Sequence, residues 1–175
     1  MAQKIVLFLS ELRENAREVE YRCPDGSTVT GVQTNEAPVK YLLHRHPDIS
    51  EILCVVTPTA EQNAWERFQA EIAQTAPKVR CALIPFLSET DFQGEVLPQI
   101  LARAESGDEI FLETTGGLRN AVMYLLLISR ALSYAGVKTA GAVYSNYNQK
   151  VIEDISSLIS LFDFIDGMQE LTSFG

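Results

Sequence analysis

The densest group of reactive residue types is Glu113-Thr114-Thr115-Gly116-Gly117-Leu118-Arg119-Asn120, set between an apolar run and a long apolar helical pattern. Two threonine hydroxyls precede a glycine pair, which permits close backbone approach and positive φ. The helix that begins there offers free N–H groups and the positive end of its dipole to an anion. Arg119, in the first turn, adds a guanidinium able to grip a phosphate through two parallel hydrogen bonds. A glycine pair alone makes no more than a sharp strand-to-helix turn. A cation at a helix N-terminus, however, is unfavourable unless an anion lies between, and that favours an anion site.

Other polar clusters stand at equivalent places. Ser10-Glu11, Thr57-Pro58 and Ser145-Asn146-Tyr147-Asn148 each follow an apolar run, and Gln33-Thr34-Asn35 opens a helix. Ligands of open parallel sheets bind outside the carboxyl ends of the strands, so these clusters are predicted to share one rim. Several chemistries are missing. No G-x-G-x-x-G follows the first apolar run, so no dinucleotide cofactor is expected, and neither a P-loop nor a G-x-S-x-G elbow occurs. His44 and His46 flank Arg45 at a helix end, where residues two apart point in different directions; they read as a solvated pair. Cys23, Cys54 and Cys81 are far apart without a C-x-x-C, so they read as buried thiols in a reducing cytoplasm and no metal is expected. Trp65 and Phe68 read as core, and Asp163 and Asp166 as a solvated face.

The elements that must carry these residues alternate. Ile5–Leu9, Ile52–Val56, Val79–Pro85, Glu109–Leu112 and Thr139–Tyr144 are short apolar runs that predict buried strands. Helical patterns lie between them: one N-capped at Thr34-Asn35 and stopped by His46-Pro47, one carrying Trp65, Phe68 and Ile72, one through Val96, Ile100 and Leu101, and one from Asn120 to Tyr134 closed by Gly136. Glu18 to Gly31, with Pro24-Asp25-Gly26-Ser27 at its centre, predicts a small exposed β-hairpin. This is the α/β pattern of a Rossmann-like, mostly parallel sheet of five to six strands, with helices on both faces and the hairpin as an insertion near 18–31. Ile155 to Leu171 adds a helix with one apolar stripe. The chain then stops at Thr172-Ser173-Phe174-Gly175, as a minimal domain or one cut from a longer protein would.

The composition sets limits on partners. The chain has 175 residues, 46% hydrophobic and 21% charged, with 14 Lys+Arg against 23 Asp+Glu and a net charge of −9. Such a length predicts one domain, residues 1–175, with a full core. No run reaches the ~18 apolar residues of a membrane span, no signal peptide opens the chain, and a cytoplasmic protein is expected. The acidic excess argues against duplex nucleic acid, which requires clustered cations, but leaves room for a small, locally caged anion.

The run Glu113-Thr114-Thr115-Gly116-Gly117-Leu118-Arg119 resembles the motif of the CRISPR-associated Rossmann fold (CARF) sensor domains of type III CRISPR systems. It is most similar to the branch with Asp-x-Thr-His-Gly-Phe-Arg, with Glu113 replacing the Asp and Gly117 the Phe, and without the His. Gln33-Thr34-Asn35-Glu36-Ala37-Pro38 and the final Phe162-Asp163-Phe164-Ile165…Phe174-Gly175 agree in layout. The resemblance implies a homodimeric receptor for a cyclic oligoadenylate, cyclic tetra-adenylate favoured, acting in antiviral defence. No cofactor is implied, and an effector follows residue 175 or is a separate protein. Ser10, Glu11 and Thr57 would border the ring. Thr114, Thr115, Gly116, Gly117, Arg119 and Asn120 would contact phosphates and ribose, and Ser145 and Asn146 would close the rim; Thr34 and Asn35 would reach the same place. The Asn120–Tyr134 helix, short of polar surface, is the natural dimer element. The alternative is a metal-independent ring nuclease using Ser10, Thr114, Thr115 and Arg119.

Overall fold

The first strand shows why the apolar runs are continuous rather than alternating. In β1, Gln3–Phe8, Ile5 and Leu7 (with Leu9 beyond it) pack into one hydrophobic cluster, while Val6 and Phe8 pack into another on the opposite face. A strand covered on both sides must be apolar at every position. A computed structural model of the protein describes residues 1–174, without the side chains of residues 163, 166 and 169–174. The expected solvated pair Asp163 and Asp166, and the closing Phe174-Gly175 resemblance, therefore fall outside the described residues.

Past β1 come β2 (Val19–Arg22) and β3 (Thr28–Gly31), then α1 (Glu36–Arg45) and β4 (Ile49–Val56). Helix α2, residues 58–75, contains a π-helical stretch at Glu61–Trp65; β5 (Arg80–Pro85) follows. Helix α3, residues 89–101, opens with a 3-10 turn and a π turn; then come β6 (Glu109–Glu113), α4 (Ala121–Tyr134), β7 (Lys138–Asn146), β8 (Val151–Asp154) and α5 (Ser156–Phe174). The eight strands form one sheet in the order β3-β2-β8-β7-β6-β1-β4-β5. The five expected strands are all parallel and contiguous, from β5 to β7. Residues of α1 and α2 (Leu42, Phe68, Ile72) cover one face, and residues of α3 and α4 (Val96, Ile100, Leu125, Ile128) the other. The protein is thus an α/β molecule with a mostly parallel sheet and helices on both faces.

Three strands extend that frame. The expected hairpin forms, with the Asp25 carboxylate accepting from the Ser27 N–H and hydroxyl and Gly26 at φ +84°. It is part of the sheet rather than an isolated insertion: β2 pairs with β8, and Tyr21 and Cys23 are buried in the core. Strand β8 has no counterpart in the sequence reading. It is four residues long with one buried side chain, Ile152, and it exists because β7 runs on through Ser145 and Asn146 and pairs back antiparallel after a turn with Lys150 at φ +55°. So Ser145 and Asn146 belong to a strand end and not to a loop.

The histidines and cysteines differ in their settings. His44 is exposed, whereas the His46 ring packs 4.1 Å from Phe111 and is half-buried, which corrects half of the expected solvated pair. All three cysteines are free, with Cys23 and Cys54 buried. Helix α5 buries Ile159, but Leu158, Leu161, Phe162, Phe164, Ile165 and Met168 of its apolar surface are exposed.

Candidate functional site

The chain crosses from one half of the parallel sheet to the other between β1 and β6, which are adjacent while their sequence neighbours lie on opposite sides. At that switch point the peptide groups of two strand ends diverge and leave a crevice. Into it the β3–α1 connection delivers Gln33 and Asn35. Asn35 occupies the N-cap position of α1, but its φ/ψ is helical and its side chain makes no cap bond. The expected capping role is overturned because the carboxamide is committed elsewhere. Its Oδ1 accepts from the Ser10 N–H at 2.9 Å and from Gln33 Nε2 at 2.8 Å, and its Nδ2 donates to the Phe8 carbonyl at 3.1 Å and to Glu113 Oε2. One buried side chain thus joins the end of β1, the start of α1 and the end of β6.

Glu113 is the acid of this cluster and is wholly buried. No cation faces it among the described residues; its other oxygen accepts from the Thr115 N–H at 2.7 Å. Burial pushes its pKa up to about 7, against the pull of the hydrogen bonds from Thr115 and Asn35. The glycine pair is explained by the same packing. A Cβ on Gly116 would fall 2.2 Å from Asn35 Nδ2, and Gly117, at φ +89°, would place one 2.4 Å from the Phe8 Cβ. The Gly117 N–H, freed by that turn, donates to Ser10 Oγ at 2.8 Å. Thr115 Oγ1 accepts from the Ser145 N–H at 2.7 Å, which ties the loop after β6 to the end of β7.

Beside this cluster lies an open cleft of about 1340 Å³, walled by the 11–17 loop, the β3–α1 connection, Tyr21 of β2 and the β7–β8 turn. Of the sequence-predicted residues, Glu11, Thr34, Thr115, Ser145 and Asn146 line it. Asn146 also holds the turn, donating to Glu153 Oε1 and accepting from the Gln149 N–H. Asn35 and Gly116, both buried, with Ser10 half-buried and Gly117 exposed, form the joint beside the cleft. Thr114 is spent on the sheet, its hydroxyl donating to the Val143 carbonyl at 2.9 Å. Thr57 caps α2, accepting from the Ala60 N–H. Arg119 and Asn120 stand outside the cleft: Arg119 is exposed, and Asn120 donates to Glu89 Oε1 at 2.6 Å. The first turn of α4 is also less open than a bare helix start, since the Ala121, Met123 and Tyr124 amides donate to the Leu118 and Asn120 carbonyls.

The cations that do line the cleft are Arg13 and Arg17, and its hydroxyls include Tyr21. Sequence reasoning passed over these; Glu113 and Gln33 it placed in the polar clusters of the rim without assigning either a contact. Arg13 and Arg17 sit in an irregular segment without periodicity, and Tyr21 in a hairpin taken to be peripheral. Glu113 carried a visible signal, an acid that ends an apolar strand. No group of His, Cys, Asp or Glu able to hold a metal ion occurs among the described residues, and no described helix is long and apolar enough to cross a membrane. No family model matches the sequence, and no curated protein is significantly similar to it.

Proposed function

We propose that the protein is a CARF-like sensor that binds a cyclic oligoadenylate, cyclic tetra-adenylate favoured, as a homodimer and relays the binding to an effector in type III CRISPR defence. The observation that carries this reading is the polar cleft at the carboxyl ends of the parallel strands, next to the β1/β6 switch point where such sheets bind nucleotides. The loops around it are cross-linked by hydrogen bonds (Ser10 to Gly117, Thr115 to Ser145), which tie the ends of β1, β6 and β7 together. That is the property a sensor needs to turn differential affinity into a change of state. A second copy is supported by the exposed Val122, Met123 and Leu127 of α4 together with Leu158, Leu161 and Ile165 of α5, an apolar surface that association would cover. In a dimer each Arg119 occurs twice, so an acidic protein still offers a ring of phosphates paired cations.

The sensor is favoured over the ring nuclease by the hydroxyls. Thr114 Oγ1 spends its proton on the Val143 carbonyl, Ser10 Oγ and Thr115 Oγ1 accept from backbone N–H groups, and the 113–120 run has no His or Lys to act as a general base. Incubation with labelled cyclic tri-, tetra- and hexa-adenylate tests both readings. Retention of intact ring supports the sensor, linear products support the nuclease, and no binding at micromolar protein rejects both. Arg119→Ala is expected to weaken binding by about 1.5–3 kcal/mol, as for loss of a charge-assisted hydrogen bond, with no change in thermal stability. Unchanged affinity would remove Arg119 from the ligand contacts.

A further inference from the structure

Glu113 stands in a cross-strand row that is otherwise apolar. The register places Leu7 of β1 and Val143 of β7 directly beside it, with Cys54 of β4 one strand further on, and all three belong to one core cluster with residues of α1 and α2. An apolar side chain would fill that row as its neighbours do, so a wholly buried carboxyl group is not what the core requires. Its partners lie in the joint above, where Asn35 meets the ends of β1 and β6.

That joint offers Glu113 donors only. Two backbone groups fix the Asn35 carboxamide, since Oδ1 accepts from the Ser10 N–H and Nδ2 donates to the Phe8 carbonyl. Turning the carboxamide over would set donor against donor at Ser10 and acceptor against acceptor at Phe8. Asn35 therefore presents an N–H to Glu113 Oε2, and Oε1 meets a second N–H, that of Thr115. A carboxylate accepts both bonds. A carboxylic acid carries its proton on one of the two oxygens, which leaves the facing N–H with a poorer acceptor and the new O–H with none in the joint. Burial favours the neutral acid and the two donors favour the charged one, and the balance falls at about 7.

The other titratable and charged groups of the surrounding elements are engaged or distant. Lys4 of β1 and Lys138 of β7 lie at the opposite ends of their strands. Glu36, next to Asn35, is taken up by the Arg67 guanidinium and the Val32 N–H, and Glu11 and Arg119 are exposed. Burial pushes the Cys54 thiol and the Tyr21 and Tyr41 hydroxyls of the same cluster up, so they stay protonated. His46 packs on Phe111, two residues before Glu113 on β6, and burial holds its imidazole below the usual range.

We propose that Glu113 is a proton-operated catch on this joint: as a carboxylate it holds Asn35 and Thr115, and as an acid it loosens one of them. The wall of the cleft is what the catch controls. Thr115 lines the cleft and holds the Ser145 N–H at the end of β7, while Asn35 holds Ser10, whose hydroxyl in turn holds the Gly117 N–H. The device does not depend on which molecule enters the cleft.

NMR titration of the full chain across neutral pH tests this, reading the Glu113 carboxyl carbon and the backbone amides of Ser10, Thr115 and Gly117. The carboxyl is expected to titrate with a midpoint near 7, and the three amide signals should move with that same midpoint. Exchange of the Ser10 or Thr115 amide with solvent, corrected for its intrinsic pH dependence, should be about fivefold faster on the acid side, as for one ordinary hydrogen bond. In Glu113→Gln, whose carboxamide stands in for the neutral acid, the amides should keep their low-pH positions at every pH. His46→Gln, at the far end of α1, should leave the amide titration in place. Amide shifts that titrate unchanged in Glu113→Gln would belong to another group and overturn the catch. A carboxyl that titrates while the amides stay still would be an isolated buried acid and would overturn it as well. Should Glu113→Gln fail to fold, the wild type alone decides, because its carboxyl and amides either share a midpoint or do not.

Discussion

Strand β6 has a buried acid at each end, and the two are treated in opposite ways. Asp108, just before the strand, is paired with Lys4 of β1 at 2.6 Å and also accepts from the Ala2 and Glu105 amides. Burial would push its pKa up, but these donors outweigh that and bring it to about 2. Glu113, at the other end of the same strand, has amide donors but no cation, and its pKa stands at about 7. The amino end of the sheet is thus closed by a satisfied charge pair. The carboxyl end keeps an acid that is neutral or charged according to pH, inside a joint that binds three connections. It is outside the carboxyl ends of the strands that open α/β sheets bind ligands, and that is the end at which the acid without a counterion lies.

The largest expected effect breaks the satisfied end. Lys4→Met leaves Asp108 buried without its partner and should cost about 3–5 kcal/mol at neutral pH, read by denaturant unfolding. A loss below about 1 kcal/mol would mean that the amide donors alone carry Asp108. The next effect concerns Glu113. Its folded pKa is raised above the unfolded value, so the folded state holds the proton more tightly. Its contribution is fully favourable below about 4.5 and is lost as pH rises through about 7, a swing on the order of 3 kcal/mol. Asp108, with a lowered pKa, acts the other way: its stabilisation is present above about 3.8 and is lost as pH falls towards 2. Glu113→Gln should flatten the unfolding free energy between pH 5 and 7 and leave the acid limb untouched. A slope that persists in the variant would assign it to another group. The smallest effect lies outside both ends: Asn120→Ala removes the contact with Glu89 on an exposed surface and should change stability by less than about 1 kcal/mol. A larger cost would make the α3–α4 contact part of the joint.

The legible part of this molecule was its frame. Five apolar runs separated by helical patterns predicted five parallel strands in place, because a strand covered on both faces is apolar through its covered stretch, as Ile5–Phe8 of β1, Ile52–Val56 of β4 and Ile110–Leu112 of β6 are. Strand β8 was not legible, since four residues with a single buried side chain leave no periodic signal and the strand exists only through its pairing with β7. Within the candidate site, Gly116-Gly117 and Ser10 were correctly brought to one place, and their contacts explain why glycine stands there. Asn35 resembled a helix cap in sequence, where a local N–H is the nearest donor. Tertiary structure offered it four better partners. Arg119 was grouped with the site as a cation in the first turn of a helix and Thr57 as a residue after a strand; in the structure Arg119 is exposed outside the cleft and Thr57 caps α2.

What the sequence determined by itself is the alternation of buried strands and covering helices, the sharp turn at Gly116-Gly117, and the acidic, single-sheet character of the chain. Those follow from local periodicity and from backbone sterics, which act over a few residues. Only the tertiary structure decided that Glu113 is a buried acid without a counterion, that Arg13, Arg17 and Tyr21 line the cleft, and that Ser145 is buried beside Tyr21. Burial, charge pairing and hydrogen-bond satisfaction depend on neighbours as far apart in sequence as Asn35 and Glu113, and no local pattern records which of them meet.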